Sequence, residues 1–128
     1  MKKVLIVVAM ACGTIAGASG EGVRPAREYA KVTFTSPVRV LNNVLMGDYV
    51  IEHDNDRMAR GGPCTHIYKL SDRSTPVVTF HCTHLRRPAT GTRATISLRR
   101  YDMGATRGFM LTEFQFAGST DAHGVPVD

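Results

Sequence analysis

The stretch CTHIYKLSDRSTPVVTFHCTH, residues 64–84, decides how this chain folds. It begins with Cys-Thr-His, ends with His-Cys-Thr-His, and holds two alternating segments on either side of the turn-prone run from Ser71 to Thr75. Alternation of apolar and polar residues is typical of a half-buried strand, and five residues are an ordinary length for a hairpin loop. The stretch therefore predicts an antiparallel hairpin with its cysteines and histidines near the open end.

The register of this hairpin decides what the cysteines do, because directly opposed residues of an antiparallel pair lie on the same side of the sheet. If Cys64 lies opposite Cys82, their Cβ atoms are about 5 Å apart, and slight closing allows a disulfide. If the register slides by two residues, Cys64 lies opposite His84 and His66 opposite Cys82, which places two thiols and two imidazoles in a square that suits zinc or copper. We expect the disulfide, with the metal site of Cys64, His66, Cys82 and His84 as the alternative.

The first 20 residues are typical of a secretory signal peptide. Two lysines after Met1 are followed by an apolar run from Val4 to Ala11 and by small residues through Gly20, which is the order of such signals. The run is too short to remain as a membrane anchor. We expect cleavage after Ala18 or Gly20 and a periplasmic or extracellular location. Lipidation at Cys12 is disfavoured, because the leucine usual three residues before a lipidated cysteine is absent.

Cysteine count and charge narrow the class of protein further. Cleavage removes Cys12 and leaves Cys64 and Cys82 as an even pair, which in an oxidising compartment is most often a disulfide. The 128 residues carry a net charge of +5 and suffice for one domain. The basic residues lack the interleaved aromatic residues of single-strand binders, so we expect no nucleic-acid partner.

The rest of the chain reads as short strands separated by turns. Lys31–Thr35, Val38–Val40 and Ala94–Arg100 alternate, and Tyr49 and Ile51 share one face of another strand, whereas residues 53–63 read as a loop. Such spacing predicts an all-β fold, a small antiparallel β-sandwich or barrel of about seven short strands. The expected organisation is a signal peptide at 1–20, a leader arm at 21–29, a β-domain at 30–117 and a flexible tail at 118–128.

A short pattern near the start of this domain resembles a known group of proteins. Phe34, Pro37-Val38, Val40, Leu45, Gly47 and Tyr49 follow roughly Phe-x-x-Pro-Val-x-Val and then Leu-Pro-Ala-Gly-x-Tyr-x-Phe. The segment Val32–Ile51 thereby resembles the opening of small, uncharacterised secreted bacterial β-proteins, although Met46 stands where Pro-Ala is usual. The resemblance implies export and a β-sandwich-like fold, and it implies no catalytic residue.

The remaining acidic and nucleophilic residues indicate no enzyme. Asp54-Asn55-Asp56 lacks the glycine at the sixth position and the glutamate at the twelfth that a calcium loop needs, and no Gly-x-Ser-x-Gly motif is present. Glu113 shares a strand face with Phe109 and Leu111. It is a buried acid in one interpretation and a carboxylate that faces water or pairs with an arginine in the favoured one.

The sequence as a whole predicts an exported, non-enzymatic β-domain. We expect it to act as a binding or structural module that is stapled by Cys64–Cys82, needs no cofactor and has no transmembrane helix in its mature form. The alternative is a periplasmic zinc- or copper-binding protein. The partner is unspecified, a protein or an anionic envelope component, and a weaker hypothesis gives it a docking patch of Arg86, Arg87, Arg93, Arg99 and Arg100.

Overall fold

A computed structural model describes residues 3–6 and 26–126, and strands dominate them. Strands take 61% of the residues and helix very little, which confirms the all-β class. The elements are β1 (Lys3–Ile6), β2 (Arg27–Val40), β3 (Asn43–Asp54), α1 (Asn55–Ala59), β4 (Thr65–Lys69), β5 (Val78–Phe80), β6 (Thr83–Arg86), β7 (Thr95–Met103), β8 (Thr106–Gln115) and β9 (Asp121–Gly124).

The strands form one curled, mixed sheet with the shape of a half-barrel. Hydrogen-bonded neighbours follow the order β1-β7-β8-β2-β3-β4-β5. The sheet branches at β8, because the start of β8 pairs in parallel with β2 and its end pairs with β9, which in turn pairs with β6. The expected antiparallel sandwich or barrel is thus a single branched sheet with a parallel pair, a connection that no local sequence pattern encodes.

The core is built from buried residues that alternate along the strands of this sheet. Ile51 and Ile67 are directly opposed in β3 and β4 and are at most 1% exposed. In β8 the alternation changes phase, because Ser97 pairs with Glu113 but Leu98 pairs with Leu111. This β-bulge allows both Leu111 and Phe114 to be buried, although strict alternation places them on opposite faces.

Two segments that the sequence assigns to irregular structure belong to the sheet. Arg27 to Tyr29, expected in the leader arm, begin β2 and pair with β3. The flexible tail expected at 118–128 is wrong over Asp121–Gly124, since β9 is buried along its whole length between β6 and β8. Backbone pairing on both edges holds this short strand, which has too few apolar residues to be recognised from its sequence.

The loop expected at 53–63 begins with regular structure, because β3 continues through Asp54 and α1 follows at Asn55–Ala59. The side chain of Asp54 caps α1 by accepting a hydrogen bond from the backbone N–H of Arg57 at 3.1 Å. N-capping by aspartate stabilises a helix by satisfying an N–H group that has no partner within the helix. The carboxylate of Asp54 is therefore the N-cap of α1.

Most of the expected signal peptide lies outside the described residues. The part that is described, Lys3–Ile6, forms β1 and pairs antiparallel with Ile96–Arg99 of β7. A membrane-crossing helix, which would have to be long and apolar, is not found among the described residues.

Candidate metal centre

His53 is the centre of a group of sulfur and nitrogen side chains. It continues the inward-facing series of β3 after Tyr49 and Ile51, opposite Thr65 of β4. The residue is 0% exposed, and neither of its ring nitrogens has a hydrogen-bond partner. Buried polar groups nearly always have partners, so two unpartnered nitrogens on one buried ring require an explanation.

The two cysteines lie beside His53. Cys64 is 2% exposed and stands directly before β4, where its carbonyl accepts a hydrogen bond from the Asp54 N–H at 2.7 Å. Cys82 stands between β5 and β6, and its backbone N–H donates to Cys64 Sγ at 3.2 Å. The two Sγ atoms and a ring nitrogen of His53 all lie within 4.8 Å of one another. Both cysteines are free thiols.

Two further histidines approach from the other branch of the sheet. His84 in β6 and His123 in β9 are directly opposed, and ring nitrogens of His53, His84 and His123 also lie within 4.8 Å of one another. His123 is 2% exposed, and its ring centroid is 4.0 Å from that of His53. Its Nδ1 is 3.6 Å from Cys82 Sγ. His53 therefore belongs to two groups of potential ligands, one with the thiols and one with the imidazoles.

The close approach of the two thiols shifts their pKa values in opposite directions. The Cys82 side chain lowers the pKa of Cys64, burial opposes this, and the neighbouring His53 ring and the Cys82 N–H lower it further. The neighbouring Cys64 side chain, together with burial, raises the pKa of Cys82. The Cys82 N–H that donates to Cys64 Sγ favours the thiolate of Cys64, and the thiolate is the form of cysteine that binds metals.

Burial keeps His123 in its neutral form. Desolvation, followed by repulsion from His53 and His84, lowers the pKa of His123 from 6.5 to about 3. A neutral imidazole has a free lone pair, which is what a metal ion needs from histidine.

The hairpin of residues 64–84 forms, but in neither expected register. Thr65 pairs with Phe80 and His66 with Thr79, one residue away from the register that would oppose the cysteines. Continued regularly, this pairing would place Cys64 and Cys82 on opposite faces. The cysteines nevertheless meet, because β5 ends at Phe80 and the chain leaves the ladder before Cys82.

His66, a member of the expected metal site, is not brought to the other ligands. It lies one position from Thr65 and so on the opposite face of β4, where its Nε2 is 3.0 Å from Arg57 Nη1 and its Nδ1 is 3.9 Å from Glu52 Oε1. Burial, followed by the charge of Arg57, lowers the pKa of His66. Of the expected set, Cys64 and Cys82 share one ligand group with His53, and His84 belongs to the other group of His53.

The five arginines of the expected docking patch do not share one face. Arg99 and Arg100 are consecutive in β7 and point to opposite sides of the sheet. Arg87 forms a bidentate ion pair with Glu113, at 3.0 and 3.1 Å. This pair confirms the interpretation of Glu113 as a carboxylate that pairs with an arginine and excludes the buried unpaired acid.

His53 and His123 are the two site residues that the sequence does not predict. A signal for His53 exists, because the face shared by Tyr49 and Ile51 continues to His53 if β3 is two residues longer than expected. His123 offers no comparable signal, since its strand is recognisable only from its pairing with β6 and β8.

Comparisons of this chain with models of known protein families, with curated proteins and with solved structures give no match. The resemblance of Val32–Ile51 to small secreted bacterial β-proteins stays a prediction.

Proposed function

We propose that this chain is an exported, non-enzymatic β-domain that binds a thiophilic metal ion, zinc or copper, through His53, Cys64, Cys82 and His123, with His84 at the outer side. The observation that carries the proposal is the fully buried ring of His53, whose two nitrogens have no hydrogen-bond partner and lie beside two thiols and two imidazoles. A buried polar group without a partner costs about 1–3 kcal/mol. A bound ion removes that cost.

The distances in the site fit tetrahedral coordination. With metal–sulfur bonds of 2.3 Å and metal–nitrogen bonds of 2.0–2.1 Å, a tetrahedral site separates a sulfur and a nitrogen ligand by about 3.6 Å. The distance between Cys82 Sγ and His123 Nδ1 is 3.6 Å. Within each of the two ligand groups that share His53, the ligand atoms lie within 4.8 Å of one another, so small side-chain movements would bring them to one ion.

A second candidate function uses the same sulfurs differently. The proximity of Cys64 and Cys82 also supports a disulfide-stapled binding module in the periplasm or outside the cell. A disulfide consumes both thiolates, so the two functions exclude each other at any one time. The unpartnered His53 favours the metal, because a disulfide leaves both of its ring nitrogens without a hydrogen bond.

Zinc affinity tests the proposal. The mature chain, purified in reductant and freed of metal, is titrated with Zn²⁺ against a chromophoric chelator. We expect one ion per chain, with affinity reduced at least about 100-fold in His53→Leu and in Cys82→Ser, since each removes a direct ligand. His81→Ala is the matched control, because His81 is exposed and adjoins Cys82 but lies outside both ligand groups. Wild-type affinity in His53→Leu contradicts the proposal.

A further inference from the structure

A sulfur atom at the outer edge of the site has no role in zinc binding. Met58 lies in α1, half-buried, and its Sδ is 3.1 Å from Nε2 of His84. His84 is exposed, whereas His53 and His123 are buried. The donor atoms therefore run from the surface inward, from Met58 and His84 to His123, His53 and the two thiols.

The local structure of α1 holds Met58 in this place. The helix begins at Asn55, two residues after His53, and Asp54 caps it. Arg57, the residue before Met58, is fixed on the opposite side by its contacts with Asp54 and His66. Its carbonyl also accepts a hydrogen bond from the Gly62 N–H at 2.8 Å. These contacts fix α1 at both ends and leave the Met58 side chain at His84.

The chemical type of the donor atoms decides whether the site prefers Cu(I) or zinc. Thioether sulfur is a soft ligand that binds Cu(I) and contributes little to zinc sites, which use thiolate, imidazole and carboxylate. Two thiols, imidazoles and a thioether together form a soft donor set, with no carboxylate among the two ligand groups.

We infer that the ion is Cu(I) and that it is received from solvent by Met58 and His84 before it reaches Cys64, Cys82 and His53. This inference rests on the proposed function and specifies its metal. It assigns Met58 a role that neither the hairpin nor the unpartnered His53 requires.

Met58→Leu tests the inference, because leucine preserves the volume of the side chain and removes only the sulfur. The full mature chain is titrated without oxygen with Cu(I) buffered by bicinchoninate, and separately with Zn²⁺. The rate at which the chain takes Cu(I) from bicinchoninate should fall at least about tenfold in Met58→Leu. Its Cu(I) and zinc affinities should stay unchanged, because Met58 receives the ion and does not hold it in the final site. Met46→Leu is the matched control, since Met46 is 61% exposed, lies seven residues before His53 in β3 and belongs to neither ligand group. It should change neither the uptake rate nor the affinities.

A second pair of variants keeps the test independent of how Met58→Leu folds. The rate at which the chain takes Cu(I) from bicinchoninate should fall in His84→Ala and stay unchanged in His81→Ala. An equal rate of Cu(I) uptake in Met58→Leu and wild type, or an equal fall in the uptake rates of both metals, overturns the role of Met58. Tight binding by the wild type leaves the proposed function standing in either case. A wild-type chain that binds neither ion overturns both.

Discussion

His53 is a buried imidazole without hydrogen bonds, so the metal-free protein gains little from it. We expect His53→Leu to leave the unfolding free energy of the metal-free chain unchanged or to raise it by about 1 kcal/mol, because it removes two unsatisfied nitrogens. Urea denaturation without and with Zn²⁺ measures this. Zinc at 100 times its Kd should stabilise the wild type by about 2.7 kcal/mol and the variant not at all.

His66→Leu is the matched control for that experiment. His66 is also buried, and its Nδ1 also lacks a hydrogen-bond partner, but its Nε2 contacts Arg57 on the other face of β4. The control should lose stability without metal and keep the full stabilisation by zinc. A loss of several kcal/mol in metal-free His53→Leu would contradict the view that His53 is held for an ion.

His123 gives the metal-free protein a defined pH dependence. Its pKa is lowered by burial and by His53 and His84, against smaller opposing contributions from Cys64 and Asp121, from 6.5 to about 3. The unfolded chain therefore binds the proton more readily than the folded one. Stability is fully present above pH 6.5 and is lost as the pH falls toward 3, by up to about 1.4 kcal/mol per pH unit.

Urea denaturation between pH 7 and 4 measures this dependence. His123→Phe should flatten the slope, whereas His81→Gln, which changes an exposed histidine, should leave it as in the wild type. If His123→Phe keeps the wild-type slope of unfolding free energy against pH, groups other than His123 cause the acid sensitivity.

At the scale of elements, β9 is the strand that occupies the segment expected to be a flexible tail. Ala122 in its centre is 0% exposed, whereas Ala117 is exposed just before the strand. We expect Ala122→Asp to destabilise the chain by about 3 kcal/mol or more, because it buries an unpaired charge. Ala117→Asp should have almost no effect. Thermal denaturation of both variants distinguishes the strand from a tail, in which the two substitutions would be equivalent.

The elements also show how far sequence alone reaches. Alternation identifies the strand cores around Phe34, Ile51, Ile67 and Ile96, because each contributes several inward-facing apolar residues. It does not give the register of the hairpin at 64–84, since the strand ends two residues before Cys82 and the contact between the cysteines arises from irregular chain.

Bulges and short strands limit the prediction further. The bulge opposite Ser97 and Leu98 reverses the faces of β8, and only its pairing with β7 reveals it. In the candidate site, the cysteines and His84 follow from the sequence because they are close in the chain. His123 enters through β9, which depends on long-range pairing.

At the scale of the whole molecule, the site connects two branches of one sheet. His53 and Cys64 belong to the branch of β3 and β4, and His84 and His123 belong to β6 and β9. A bound ion would therefore restrain the opening of one branch relative to the other.

Hydrogen exchange measures this restraint. We expect Zn²⁺ to slow amide exchange in β6 and β9 together with the end of β3, and to leave the β7–β8 hairpin near Asp102 unchanged. If Zn²⁺ leaves the amide exchange rates of β6 and β9 unchanged, the ion does not bridge the two branches.

The most direct measurement is the intact mass of the chain produced with its own signal and recovered from the periplasm without chelator. We expect the denatured chain to carry two free thiols and the native chain to carry one additional copper or zinc ion. A denatured mass lower by two hydrogen atoms, restored by reductant, with no metal on the native chain, would show that Cys64 and Cys82 form a disulfide and would contradict the metal centre.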